Sequence, residues 1–236
     1  MSKSKRQMSR EYLNLTTYER KMYDQGMRLI AGLDEVGRGP LAGPFVVGCV
    51  ILDLDKIFRE ISNSRNNDVN SLEKPNQYGN IKDSKKLSSK QREKLNIFIQ
   101  QEAICYSIFE ISAGELDQIG ISKATQKAFY GCIEKLKIRP EHIFTDTFPV
   151  KQIVQDMQTN IPSGDNKSIA VAAASIIAKV YRDNLMTEAH KVYPNYGFDK
   201  HKGYGTKMHL EMLNKYGPCE IHRQSFEPVR ALLYRL

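Results

Sequence analysis

Leu29-Ile30-Ala31-Gly32-Leu33-Asp34-Glu35-Val36-Gly37-Arg38-Gly39-Pro40-Leu41-Ala42-Gly43-Pro44-Phe45-Val46-Val47-Gly48-Cys49-Val50-Ile51-Leu52 is the stretch that organises the chain. One apolar run leads into it and a Val-rich run leaves it, which predicts two strands joined by a turn. A hairpin needs only roughly two to five loop residues. This turn is longer, and it holds Gly37, Gly39, Gly43, Pro40, Pro44 and Arg38. Asp34 and Glu35 stand where the first strand stops. Successive strand side chains point to opposite faces. The two acids can therefore share one site only if the strand ends or kinks there, which the glycines permit. Acids at a strand end beside an arginine suggest a metal ion and a phosphate.

Further along, Ile104–Ile111 reads as a third strand and Ser122–Leu136 as a helix. His142-Ile143-Phe144-Thr145-Asp146 is a short strand that also ends on an acid. Strands alternating with helices predict an α/β protein, a mixed sheet with helices on its faces. Sites in such sheets form where strands end. Residues 1–28 read as a short N-terminal appendage, 29–195 as the core, and 196–236 as a C-terminal loop and helical part. Residues 58–80, rich in Asn and Ser, read as a loop insertion.

Ser168–Val192 reads as a long helix. At about 100° per residue, Ser168, Ala172, Ser175, Lys179 and Asp183 form one small, polar stripe. Ile169, Ala173, Ile176, Ile177 and Val180 form the apolar arc beside it. Ser175 and Lys179 are expected to touch substrate, and Asp183 to point into the site. The alternative is a Lys179–Asp183 surface pair at i,i+4 spacing, worth a few tenths of a kcal/mol. Asp34, Glu35, Asp146 and Asp183 would then converge. Packed carboxylates repel one another without cations, and oxygen-only ligation selects Mg²⁺ or Mn²⁺. Two such ions can drive phosphodiester hydrolysis.

The net charge of +8 fits a polyanionic partner, with nucleic acid first. The densest basic patch is Lys82, Lys85, Lys86, Lys90, Arg92 and Lys94, beside a helix that Ser88 or Ser89 can cap. A solvated helix face is the alternative there. In His201-Lys202-Gly203-Tyr204-Gly205-Thr206-Lys207, an exposed Tyr204 between glycines can press its ring on a sugar or base. Filling a structural gap is the alternative for Tyr204. Thr206 can cap the helix that follows. No apolar run reaches the roughly 18 residues of a membrane span. The basic N-terminus has no apolar stretch after it, so no signal peptide is expected. A cytoplasmic monomer is expected. Cys49, Cys105, Cys132 and Cys219 form no C-x-x-C pair, which argues for buried free thiols rather than a zinc or redox motif.

Residues 34–44, Asp83-Ser84-Lys85-Lys86-Leu87, the 168–183 segment with Arg182-Asp183, and 201–209 with His222-Arg223 and Ser225-Phe226 together resemble the ribonuclease HII family. The resemblance implies a ribonuclease H-like mixed sheet flanked by helices, with a helical C-terminal part. It implies metal-binding acids at Asp34, Glu35, Asp146 and Asp183. It assigns Gly37-Arg38-Gly39 to the ribonucleotide 2′-hydroxyl and adjoining backbone, and Tyr204 to junction sensing. Substrates would be RNA–DNA hybrids or DNA duplexes containing ribonucleotides. Cleavage would fall 5′ of the ribonucleotide, leaving a 3′-hydroxyl and a 5′-phosphate. Phe144-Thr145-Asp146-Thr147-Phe148 is more polar than the family's strand at the third acid, and the 58–80 insertion is longer. A type 3 ribonuclease H would carry lysine at Arg38 and a sizeable extra N-terminal domain. A dinucleotide site built on Gly37, Gly39 and Gly43 would need a helix next. A non-catalytic nucleic-acid-binding module would leave the acids repelling phosphate.

Overall fold

The computed structural model describes residues 12–65 and 77–233. The basic residues Lys3, Lys5, Arg6 and Arg10, and positions 66–76 of the expected insertion, lie outside the described residues. Five strands form one mixed sheet: β1 (Ile30–Val36), β2 (Phe45–Leu52), β3 (Ala103–Ile111), β4 (His142–Asp146) and β5 (Gln158–Ile161), in the order β3-β2-β1-β4-β5. β1 and β2 form the expected antiparallel hairpin, with Asp34 opposite Gly48. β4 runs parallel to β1, and β5 runs parallel to β4. The carboxyl ends of β1, β4 and β5 therefore lie at one edge.

Helices cover both faces. On one lie α1 (Thr17–Asp24), α2 (Leu54–Arg65), α3 (Ser89–Glu102) and α5 (Ile169–Val192), around Ile30, Val50, Leu52 and Phe144. On the other lies α4 (Ala113–Glu134), over Ala31, Leu33, Val47, Cys49 and Ile51. The alternation along β1 and β2 follows the two-residue strand period. Gly120 (φ +76°) kinks α4, and its second half corresponds to the helix read from Ser122. Ser88 caps α3 in a capping box with Gln91. Ser168 caps α5 by accepting from Val171 N. Cys49, Cys105 and Cys132 are buried free thiols, and Cys219 is half-buried. Among the described residues, no helix is long and apolar enough to cross a membrane.

Two parts of the sequence reading need correction. Residues 58–65, read as loop, are the end of α2, because Leu54, Ile57, Phe58 and Ile61 recur at helical spacing and are buried. The stretch read as an appendage reaches into the core. Tyr12 and Leu15 join the first cluster, and the buried Glu19 carboxylate accepts from Ser168 Oγ and from Ala170 N (3.1 Å). Burial pushes Glu19 up to about 7, against those hydrogen bonds.

α5 is buried on nearly every side from Ile169 to Ala178. Its sheet-facing row is Ala170, Ala174 and Ala178, lying on Gly32 and Gly48. A Cβ at Gly32 would stand 2.1 Å from the Ala170 carbonyl carbon, and one at Gly48 2.6 Å from the Ala174 oxygen. Gly32→Ala is expected to cost about 3 kcal/mol, the upper end of overpacking penalties, since the obstacle is helix backbone. The check is the denaturation midpoint at unchanged m-value. A midpoint equal to that of the parent would refute the tight helix–sheet contact.

Candidate active site

Asp34 lies on the α5 side of β1, nearly buried. Its carboxylate accepts from Glu35 N (2.8 Å) and from the Ser175 hydroxyl, which is in turn 2.9 Å from Ser84 Oγ. Burial, then Glu35, Asp146 and Asp165, holds Asp34 well above the ordinary carboxylate range. Glu35 is pushed up to about 7, mainly by burial and further by Asp146, while Arg38 and Lys85 pull it down. Its Oε2 is buried without a hydrogen-bond partner.

Asp146 closes β4, one residue past the Leu33–Thr145 pair with β1. Its Oδ1 accepts from Thr147 Oγ1 and Gly164 N, both at 3.0 Å. Thr147 (φ 65°) and Ser163 (φ 56°) both hold left-handed conformations beside this contact, and backbone strain of that kind gathers at working sites. Gly164-Asp165-Asn166 is a 3₁₀ turn after β5. Asp165 is buried there, and burial followed by Asp83 and Asp146 raises its carboxyl, with Lys85 opposing. Lys85 Nζ stands 3.4 Å from Asp165 Oδ2. The Lys85 ammonium is raised although burial works against it, because Asp165, Asp83 and Asp34 outweigh that. Lys86 donates to the Asn166 side chain.

The structure therefore gathers Asp34, Glu35, Asp146, Ser175 and Lys85, and it does not bring Asp183 to them. Asp183 is eight residues beyond Ser175, about 12 Å along the helix axis. It pairs with Lys179 (2.7 Å) and Arg92 (3.7 Å) and lines a small groove with Ser89, Asn184, Thr187 and Lys202. The i,i+4 pair considered as the alternative is present. Asp165 takes the place expected for Asp183, and the sequence reading missed it. Its signal was an acid between Gly164 and the helix cap Ser168, in a turn that follows a strand too short to recognise.

The 37–44 turn is held from inside by two buried arginines, Arg182 and Arg223, whose partners the sequence reading did not identify. Arg223 donates to the carbonyls of Gly37, Arg38 and Gly43. Arg182 donates to Pro44, Lys202 and Ala42. Gly37 (φ +90°) leaves no room for a side chain, since a Cβ would stand 2.3 Å from Arg182 Nε. Gly39 is exposed with open space around it. The Arg38 side chain donates to Thr125 on α4 (2.9 Å) and lies over Phe148. Leu41 N donates to Gly203 O (2.8 Å), which ties this turn to the Tyr204 loop. Tyr204 is 41% exposed, with Lys179 Nζ and the Arg182 guanidinium each 5.8 Å from its ring centroid.

Among the described residues no three His, Cys, Asp or Glu side chains already close a metal cage. An open Mg²⁺-type site has that character, with one or two carboxylates per ion and the rest supplied by substrate and water. Mutually repelling buried carboxylates and the unpartnered Glu35 Oε2 fit a divalent cation.

A mixed sheet with acids at the carboxyl ends of β1 and β4 and a helix laid across it defines a hydrolase of the ribonuclease H architecture. The ribonuclease H2 of Pyrococcus horikoshii OT3 superposes with a TM-score of 0.67 at 26% identity, covering 87% of this chain and 97% of that one. The Ribonuclease HII family model matches residues 31–229. The ribonuclease HII of Chlamydia caviae is 42% identical over 94% of this chain and 95% of its own length. That of Caldanaerobacter subterraneus subsp. tengcongensis is 45% identical over 89% and 78%. The chain belongs to the ribonuclease HII family, and it is a ribonuclease H, a hydrolytic endonuclease.

Proposed function

We propose that this ribonuclease H cleaves the RNA strand of RNA–DNA hybrids and the 5′ side of ribonucleotides embedded in duplex DNA, leaving a 3′-hydroxyl and a 5′-phosphate. The observation that carries this reading is the gathering of acids at the strand ends: burial first, and neighbouring carboxylates after it, raise Asp34, Glu35 and Asp165, and the Asp146 carboxylate acts on all three. Asp34, Glu35, Asp146 and Asp165 would hold Mg²⁺ or Mn²⁺. When bound, two such ions supply Lewis acidity and an activated water at the scissile phosphate. Ser175 orients Asp34 through its hydroxyl. Lys85 and Lys86 lie where the phosphate backbone would pass. Arg223 engages the carbonyls of Gly37 and Arg38, so the turn offers a 2′-hydroxyl its N–H edge. Arg38 suits the neighbouring phosphate. Lys179, with its ammonium 5.8 Å from the Tyr204 ring centroid, lies beside that ring. The reading takes the protein as a cytoplasmic monomer.

Tyr204 would rest against the next sugar, where a 2′-hydroxyl crowds the ring, so a DNA residue is favoured there. The test uses duplex DNA with one ribonucleotide and a long hybrid, each with and without Mg²⁺, and maps the cut. Cleavage 5′ of the ribonucleotide is expected only with metal. Tyr204→Ala is expected to slow the single-ribonucleotide substrate about 10-fold more than the hybrid, in line with the worth of one stacking contact. Equal loss on both substrates would remove Tyr204 from substrate discrimination.

A further inference from the structure

Three C-terminal histidines form a hydrogen-bonded set that the carboxylate site does not use. His209 and His222 are buried, at 0% and 1% exposure. Cys219 N is 2.9 Å from His222 Nδ1. The Nε2 atoms of His222 and His209 are 3.1 Å apart. His209 Nδ1 is 2.9 Å from the Tyr204 carbonyl oxygen. A backbone N–H can only donate, so His222 Nδ1 accepts and His222 Nε2 carries the hydrogen. A carbonyl can only accept, so His209 Nδ1 carries its hydrogen and His209 Nε2 accepts. Each neutral imidazole has one donor and one acceptor. One tautomer pair thus satisfies all three links, from Cys219 N–H through both rings to the Tyr204 oxygen.

A third ring completes the set. Gly203 N donates to His201 Nδ1 (3.2 Å), and His201 Nε2 donates to Tyr196 O (2.7 Å). His201 stacks on His209, with centroids 4.4 Å apart and planes 13° apart. The backbone on both sides of the Gly203–Tyr204 peptide is therefore held from inside, while the Tyr204 ring projects outward. Burial keeps His209 and His222 down at about 4, so both rings are neutral at pH 7. The set is unsuited to a metal ion. Cys219 Sγ approaches His222 at Nδ1 (3.1 Å) whereas His209 approaches at Nε2, so the two groups stand on opposite nitrogens.

We infer that His222 and His209 are positioning residues, a fixed-tautomer chain that presets the Tyr204 backbone so that its ring meets the substrate already oriented. The inference rests on the proposed role of Tyr204, and the experiment separates the two. Long-range ¹⁵N–¹H spectra of the full-length protein read the tautomers directly. His209 is expected as the Nδ1–H form and His222 as the Nε2–H form, unchanged from pH 6 to 8. The opposite tautomer at either ring, titration of either in that range, or a Zn²⁺-induced shift of both Nε2 resonances would overturn the chain. In activity, His209→Leu is expected to lose about 10-fold of the preference for a single ribonucleotide over a long hybrid, the same as removing the Tyr204 ring, whose one stacking contact it would misplace. His209→Asn, whose amide can again donate to Tyr204 O, is expected to recover most of it. Adding Tyr204→Ala to His209→Leu is expected to cost no further preference. Equal loss on both substrates in His209→Leu, with no recovery in His209→Asn, would reduce the histidines to packing. An unchanged preference in Tyr204→Ala would instead overturn the Tyr204 reading, and the spectra would still decide the chain.

Discussion

Asp165→Asn and Asp34→Asn are expected to abolish cleavage, while Asp183→Asn retains most of it. Each change removes a charge and almost no volume, so folding should survive, and circular dichroism with a thermal melt checks this. Asp165 is buried among Asp83, Asp146 and Lys85. Asp183 is already neutralised by Lys179 and Arg92. Losing an outer partner of a metal ligand costs 10–100-fold, so losing a ligand itself should cost more than about 100-fold in kcat. The measurement is single-turnover cleavage at saturating Mg²⁺. Full activity in Asp165→Asn, or its loss in a folded Asp183→Asn, would return the fourth position to Asp183.

Mg²⁺ is expected to raise the melting temperature, and to raise it more at pH 8 than at pH 5.5. Asp34, Glu35 and Asp165 all titrate above their ordinary values in the fold, with Glu35 at about 7. Between the ordinary carboxylate range and about pH 7 the folded protein therefore binds protons that the unfolded chain does not. Stability falls as pH rises through that window. A divalent cation favours the ionised carboxylates, so it offsets the loss where they are ionised. At a concentration 100 times the dissociation constant, binding adds about 2.7 kcal/mol. That corresponds to roughly 5–10 °C for a chain of this size. Glu19 is the internal control. It too lies at about 7, yet it faces Ser168 and Ala170. Glu19→Gln should flatten the metal-free pH dependence and leave the Mg²⁺ response intact. An equal response at both pH values, or one that survives in Asp34→Asn, would detach the effect from these carboxylates.

The local patterns were legible because they depend on neighbours in the chain. The alternation through Leu29–Leu52 and the Gly/Pro turn predicted the β1–β2 hairpin, and β1 pairs with β2 through that turn. The caps were equally local: of the two serines offered, Ser88 caps its helix, and Thr206 caps the next as read, each a side-chain oxygen taking an N–H three residues ahead. Strand ends marked Asp34, Glu35 and Asp146, and the structure sets those acids within each other's fields.

Asp183 shows where local reasoning stops. Helical angle puts it on the stripe with Ser175, but angle says nothing of distance along the axis, and about 12 Å separates them. Only the packing of β5 beside β4, followed by the 163–166 turn, carries Asp165 to Asp146. That pairing is long-range and involves a four-residue strand with no period to read. The same holds for Arg182 and Arg223. By composition they are two more positive charges, and burial against the carbonyls of the 37–44 turn makes them its frame. Sequence alone determined the β1–β2 hairpin, the long helix that carries Ser175 and the strand-end acids, because those follow from spacing. Tertiary structure alone decided which acids meet and which basic side chains turn inward, because both depend on residues far apart in the chain.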